Sequence, residues 1–292
     1  MRHAVLGSGG VGGLVAAALA HAGRDVVVVG RPETIAVTPA VTVLDSVVLG
    51  RFEVALPFVP ALDRAVDVVW IATKSNGLEA ALSLLPPDLV GEAVVVPLLN
   101  GVDHVAILRG RYPRVVAGVM RVESERVAPG RIEQRSPFIR VDLAEGEDIA
   151  SELSAAGIGA RVGQDELSLL WGKLAFLAPL ALTTTAMDST LGPVRTHPLY
   201  LAAQAETERV ATAVGADLDI ASLQQIRTAA ADTMRSSMQN DVTAGRPPEL
   251  DAIAGPIIRA AQQHHIPIPA TRNLVERIQA TLATPQPITP ST

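Results

Sequence analysis

Lysine occurs only twice in this 292-residue chain, at Lys74 and Lys173, against 22 arginines among its 24 basic side chains. A sequence that nearly always writes arginine keeps lysine where a compact ammonium must give up a proton, a step closed to a guanidinium. Lys173 carries the sharper signal: it is the only charged residue from Leu167 to Met187, and its helical neighbours are Leu169, Leu170, Phe176 and Leu177. A lysine there is partly desolvated or lines a cleft; burial disfavours the ammonium and suits it to general-acid work. The plainer alternative is a stem packed on apolar surface with its head in water. Glu249 follows Pro247-Pro248 and opens a helix, where an acid suits the helix dipole. It also stands at the margin of the apolar face made by Leu250, Ile253, Ala254, Ile257 and Ile258, from which it could enter a cleft. Ser236-Ser237 lies late in a helix expected from Ile220 to Met238, and backbone capping accounts for it, since no base is adjacent to activate either hydroxyl. His104, near Asn100, is a further candidate, whereas the adjacent pair His264-His265 lacks the spacing of shared metal ligands.

The elements that must position these residues begin at once. A strand over His3 to Leu6 runs into Gly7-Ser8-Gly9-Gly10-Val11-Gly12, followed by an alanine-rich helix over Leu14 to Ala22 and a strand over Asp25 to Val29. Strand, glycine-rich turn, helix and strand within about 30 residues is the setting that a dinucleotide fingerprint requires, with the pyrophosphate at the helix N-terminus. The second strand ends Val29-Gly30-Arg31, without the carboxylate that NAD enzymes place on the ribose hydroxyls, and an arginine there fits the 2′-phosphate of NADP. The alternative is an arginine exposed on a loop. Apolar strands over Ala65 to Thr73 and Ala93 to Leu99 deliver Lys74 and Asn100 to the carboxyl edge of a buried parallel sheet, where ligands bind in such folds; Asn100-Gly101 alone would also make a turn. Strands over Val115 to Met120 and Phe138 to Val141, a hairpin over Val122 to Glu133, a helix over Glu147 to Ala156 and a strand at Ala160 to Val162 complete an α/β pattern. From Asp165 onward only helical spacing recurs, so a domain boundary is expected near residue 164, with a Pro- and Thr-rich tail over 285–292.

Composition narrows the classes. The net charge is -6 and aromatics make up 3% of the chain, which provides neither the basic field nor the stacking surface of a nucleic-acid binder. Cysteine is absent, which excludes disulfides, thiolate catalysis and Cys-ligated metal. The apolar run Leu174 to Met187 is short for a bilayer and contains Pro179, and the N-terminus shows no signal-peptide pattern; a cytoplasmic protein with no membrane partner is expected.

The chain resembles the ketopantoate reductases (2-dehydropantoate 2-reductase, the PanE/ApbA family) over essentially its whole length. The resemblance rests on the Gly7–Gly12 loop with Arg31, Thr73-Lys74, Asn100-Gly101, Leu170-Trp171-Gly172-Lys173-Leu174-Ala175, Ser236-Ser237-Met238-Gln239-Asn240-Asp241 and Gly245-Arg246-Pro247-Pro248-Glu249-Leu250-Asp251. It implies an N-terminal Rossmann-type NAD(P)-binding domain (1–164) and an all-α C-terminal domain (165–284), similar to the C-terminal domain of 6-phosphogluconate dehydrogenase, with the active site between them. It implies a cytoplasmic oxidoreductase of pantothenate biosynthesis that moves a hydride from NADPH to the carbonyl carbon of a 2-oxo acid. Lys173 would be the general acid. Glu249 would support it and contact the cofactor. Gly7, Ser8, Gly9, Gly10, Val11, Gly12 and Arg31 would bind the dinucleotide, Lys74 and Asn100 would flank its nicotinamide end and the substrate, and Ser237 would hold the substrate carboxylate. No metal is expected, and a homodimer through the helical domain is. Where the family usually carries asparagines, this chain has Leu177, Ala181 and Ala254, so a more apolar keto acid or an imine stands as an alternative substrate, and a non-catalytic NADP sensor as an alternative role.

Overall fold

The computed structural model describes residues 1–283; the tail read at 285–292 lies outside the described residues. The chain divides into two compact units, Met1–Leu170 and the part from Trp171 onward.

The first unit is built on β1 (Arg2–Leu6), α1 (Gly10–His21), β2 (Asp25–Val29), α2 (Pro32–Ala36), β3 (Val41–Ser46), β4 (Gly50–Ala55), β5 (Phe58–Val59) and β6 (Val68–Ile71). It continues through α3 (Leu78–Leu82), α4 (Pro87–Val90), β7 (Val94–Pro97), α5 (His104–Arg109), β8 (Gly118–Arg121), β9 (Ser124–Ala128), β10 (Arg131–Gln134), β11 (Arg140–Leu143), α6 (Glu147–Ala155) and β12 (Gly159–Val162). Five strands form a parallel sheet in the order β5-β2-β1-β6-β7, so the chain order reverses at β1. Alternate residues of the central strands enter two cores: Val5, Val28, Val68, Trp70 and Val96 pack with Leu14, Val15 and Leu19 of α1, while Ala4, Leu6, Val69, Ile71 and Val95 pack with Leu78, Leu82 and Leu108. Burial on both faces is why these strands are continuous apolar runs. The sheet extends at Val95, which pairs in parallel with Val115 before the chain enters the β12-β11-β8 sheet.

The sheet β4-β3-β10-β9 was not legible as a sheet: only its β9–β10 hairpin was expected. The reason lies in β3, whose buried face is Thr42, Leu44 and Ser46, and in β4, which buries no residue fully. Polar groups on the buried side hide the period-two pattern on which strand recognition depends.

At the far end of β1, His3 is fully buried beside Trp70. The indole N–H donates to His3 Nδ1 (3.3 Å), which leaves Nε2 to donate to Glu152 (3.3 Å), itself paired with Arg24 (2.9 Å). Burial pushes the imidazole pKa below its usual value despite Glu152, so the folded state holds the neutral ring. The unfolded chain protonates near pH 6.5 and the folded one does so only at lower pH. Stability therefore is intact well above pH 6.5 and declines below it, so this group makes the protein less stable at pH 5.5 than at pH 7.5. Urea unfolding at the two pH values should show a smaller loss in His3→Gln than in wild type; an equal loss in both would contradict the assignment.

The second unit is helical among the described residues. α7 (Glu166–Ala186) begins in the first unit and continues into the second, followed by α8 (Leu191–Val194), α9 (Pro198–Ala213), α10 (Ile220–Ala229), α11 (Ser237–Thr243), α12 (Leu250–Gln263) and α13 (Pro269–Ala283). α7 is long and apolar enough to cross a membrane by length and composition, but 67% of that stretch is buried within the protein. Glu206 of α9 is buried and accepts from the amides of Ala270 and Thr271 and from the Thr271 hydroxyl at 2.7–2.8 Å, closing the N-terminus of α13. The helix expected over Ile220 to Met238 is two helices. The chain leaves α10 at Ala230, where its carbonyls at Asp232 and Met234 accept from Gly192 and Leu191 of α8, and it re-enters helix at Ser237. Ser236 is thus an N-cap, not a late helical residue, and its hydroxyl accepts from the Gln239 amide at 3.1 Å.

Candidate active site

β1 ends at Leu6, in register with Val29 of β2 and Ile71 of β6. Gly7 turns the chain with φ +103°, and its amide donates to Val29 O at 3.0 Å. A Cβ at Gly7 would stand 2.9 Å from Ala72 O, and one at Gly12 would stand 2.0 Å from Gly7 O, so both positions exclude a side chain. At Gly9 a Cβ would meet no atom within 4 Å. Gly9 caps α1, which has neither a side-chain cap nor an acid in its first turn. Two glycines thus close the turn, while the third leaves uncapped helix amides facing open space, a cradle that fits a pyrophosphate.

Gly10 and Gly13 serve a different contact. A Cβ at Gly10 would lie 2.2 Å from Ser124 O, and one at Gly13 would lie 2.5 Å from Ile132 Cδ1. The β9–β10 hairpin therefore presses on α1, and the Ser124 hydroxyl donates to Gly10 O at 2.9 Å across 114 residues of sequence. Ser124 frames the loop, yet nothing in its local sequence signals it.

Arg31 caps α2 directly after β2, exposed to solvent; among the described residues its guanidinium has no ion pair. β6 and β7 are parallel neighbours with Ile71 opposite Pro97, so Lys74 and Asn100, each three residues further on, leave the sheet at the same level. Lys74 caps the short turn Ser75–Gly77, and Gly101 after Asn100 has φ +88°. Thr73, between the glycine loop and Lys74, has a buried hydroxyl without a hydrogen-bond partner among the described residues. The glycine loop, Arg31, Thr73, Lys74 and Asn100 thus share the carboxyl edge of the parallel sheet. His104 is buried at the start of α5.

In the second unit, Lys173 is half-buried on α7. Leu177, four residues on, is half-buried, and Ala181, eight on, is fully buried. Eleven residues are three helical turns, so Thr184 lies within about 20° of the Lys173 direction. Its hydroxyl lies 2.8 Å from Leu180 O and 3.3 Å from the Ser236 Oγ, which ties this face of α7 to the start of α11, where Ser237 is exposed. Glu249 occupies the N-cap position of α12 and is only 9% exposed. Asp251 pairs with Arg259 at 2.9 Å over Gly255, where a Cβ would come within 2.3 Å of Asp251 Oδ1. Ala254, beside that glycine, is buried. Among the described residues there is no cluster of three His, Asp or Glu side chains able to hold a metal.

The model of the family described as ketopantoate reductase PanE/ApbA matches residues 3–146, and its C-terminal counterpart matches residues 166–282. A 2-dehydropantoate 2-reductase of Caulobacter vibrioides is 31% identical, the likeness covering 95% of this chain and 98% of that one. Among solved structures, a PanE/ApbA family ketopantoate reductase from Ralstonia eutropha JMP134 superposes with a TM-score of 0.86 at 24% identity, covering 97% of this chain and 98% of that one. A D-mandelate dehydrogenase, solved with NADH and anilino(oxo)acetate, superposes with a TM-score of 0.85 at 20% identity over 97% of this chain and 98% of that one. Fold, motif order and full-length similarity converge: this chain belongs to the PanE/ApbA ketopantoate reductase family, oxidoreductases acting on CH–OH groups.

Proposed function

We propose that this enzyme reduces a 2-oxo acid with NADPH, 2-dehydropantoate first among substrates. The observation that carries the reading is Lys173, half-buried and the one charged side chain from Leu167 to Met187, in a member of a carbonyl-reducing family. When bound, the dinucleotide supplies the hydride. The amides at the start of α1 hold its pyrophosphate, and Arg31 meets its 2′-phosphate. Lys74 and Asn100 offer an ammonium and an amide at the sheet edge to the nicotinamide end and the substrate carbonyl. Lys173 donates its proton to the oxygen of the forming alkoxide. Glu249 orients that ammonium and lowers the cost of holding its charge, and the Ser237 hydroxyl donates to the substrate carboxylate. Loss of NADPH absorbance on adding 2-dehydropantoate, with pantoate as product, tests the reading; no turnover with it or with any branched 2-oxo acid would overturn it. The family likeness also supports a homodimer through the helical C-terminal unit, which light scattering would show as twice 30.5 kDa and a monomer's mass would refute.

A second reading is favoured by a specific observation. Leu177, Ala181 and Ala254 give no polar partner for a distal substrate hydroxyl, and the two alanines are buried. An apolar pocket gains little from an added hydroxyl and rejects it weakly, by about a hundredfold at most. The ratio of kcat/KM for 2-dehydropantoate over its dehydroxylated branched analogue should therefore stay within about a hundredfold of unity. A ratio of thousands for the hydroxylated acid would show that other groups read the hydroxyl and would remove this reading.

A further inference from the structure

α7 runs as one helix from Glu166 to Ala186 with Pro179 inside it. Proline has no N–H, so the carbonyl four residues earlier, that of Ala175, loses its helical donor, and the ring pushes against it. Ala175 is fully buried, so water does not replace the missing bond. The replacement comes from α10: Arg227 Nη2 donates to Ala175 O at 2.9 Å. Arg227 is only 4% exposed, and its Nη1 donates to Glu208 of α9, so three helices meet at one guanidinium. The end of α10 that carries it is fixed in turn by Arg195, which donates to the carbonyls of Arg227 and Ala230 and pairs with Asp232 at 2.8 Å.

The position of this junction along α7 gives it a consequence for chemistry. Ala175 lies two residues beyond Lys173, about 200° around the helix, so Arg227 grips α7 from the side opposite the lysine. The junction separates the turn bearing Lys173 from the turns bearing Ala181 and Thr184, and Thr184 is tied to Ser236 at the start of α11. Whether the Ala175 carbonyl between these turns is held by a donor therefore bears on where Lys173 stands relative to Ser237.

We propose that Arg227 is a positioning residue for the reaction: by supplying the donor that Pro179 withholds from Ala175 O, it holds the turn of α7 that aims Lys173. The inference rests on the reading of Lys173 as proton donor. The test uses the full-length enzyme with NADPH and 2-dehydropantoate. Arg227→Lys keeps the charge facing Glu208, but a single ammonium does not reproduce the fork that reaches two acceptors. It should lower kcat about tenfold to a hundredfold, as misplacement of a reacting group by about 1 Å does, with the KM for NADPH unchanged. Pro179→Ala returns an amide donor to Ala175 O; alone it should stay close to wild type, and in Arg227→Lys/Pro179→Ala it should restore most of the lost kcat. Turnover is taken per NADPH-binding site titrated, so that a loss of folded protein, which the alanine would also repair, does not enter kcat. Wild-type kcat in Arg227→Lys, or a double variant as slow as the single, would overturn the proposal. Lys173→Met separates the two claims: wild-type turnover there would overturn the proton-donor reading and the positioning together, whereas an inactive Lys173→Met beside a fully active Arg227→Lys would overturn the positioning alone.

Discussion

Replacing Lys173 with alanine should cut turnover by about 10²–10⁴, the usual contribution of a positioned general acid, equivalent to about 3–5 kcal/mol of barrier. NADPH affinity should change far less, because the glycine loop that holds the dinucleotide belongs to the first unit and Lys173 to the second. Lys173→Arg is the stricter variant: it keeps the cation and its pull on the carbonyl oxygen but cannot release a proton near neutral pH. If the side chain gives only charge, arginine should recover most of the rate; if it gives the proton, arginine should stay near the alanine level. Stopped-flow single turnovers with saturating NADPH and substrate separate this step from product release. Wild-type rates in Lys173→Ala on an active substrate would remove the mechanism.

The second large effect concerns cofactor choice. Wild-type enzyme should bind NADPH more tightly than NADH, and Arg31→Ala should weaken NADPH roughly tenfold to a hundredfold while leaving NADH nearly unchanged, since one charge-assisted contact to phosphate contributes about 1.5–3 kcal/mol. Arg31 is exposed, so the preference should shrink as salt rises. Fluorescence titration of both cofactors against both proteins at two ionic strengths reads all of this. Equal affinity of the wild type for NADPH and NADH would sink the assignment of Arg31.

What the sequence disclosed and what it hid divide along physical lines. The Gly7–Gly12 loop was legible because a tight turn, an open amide row and a helix packed on a strand each need glycine at a fixed offset. The helical half was legible because its apolar spacing is local. The partnership of Gly10 with Ser124 was not, since 114 residues separate them and only the pairing of β10 with β3 brings the hairpin onto α1. β3 and β4 carry no strand signal because Thr42 and Ser46 point inward where apolar side chains would mark the period. The break between α10 and α11 follows from hydrogen bonds to α8, which no local propensity contains. Pro179 withdraws the helical donor from Ala175 O, and the donor that reaches this carbonyl, Arg227, lies 52 residues beyond Ala175 in the sequence. In three of these four cases the hidden feature is a tertiary bond to a backbone group, and backbone groups have no spelling in a sequence.

The central claim, reduction of a 2-oxo acid by hydride from NADPH with protonation by Lys173, is tested most directly by isotope transfer. NADPH deuterated on one face of C4 is turned over with 2-dehydropantoate, and the product is examined for label at C2. One of the two C4-labelled forms should place deuterium on that carbon in every turnover, and Lys173→Ala should slow the reaction without changing which face is used. Pantoate formed with no deuterium from either form, or labelled cofactor left unconsumed in the presence of every 2-oxo acid tried, would contradict it.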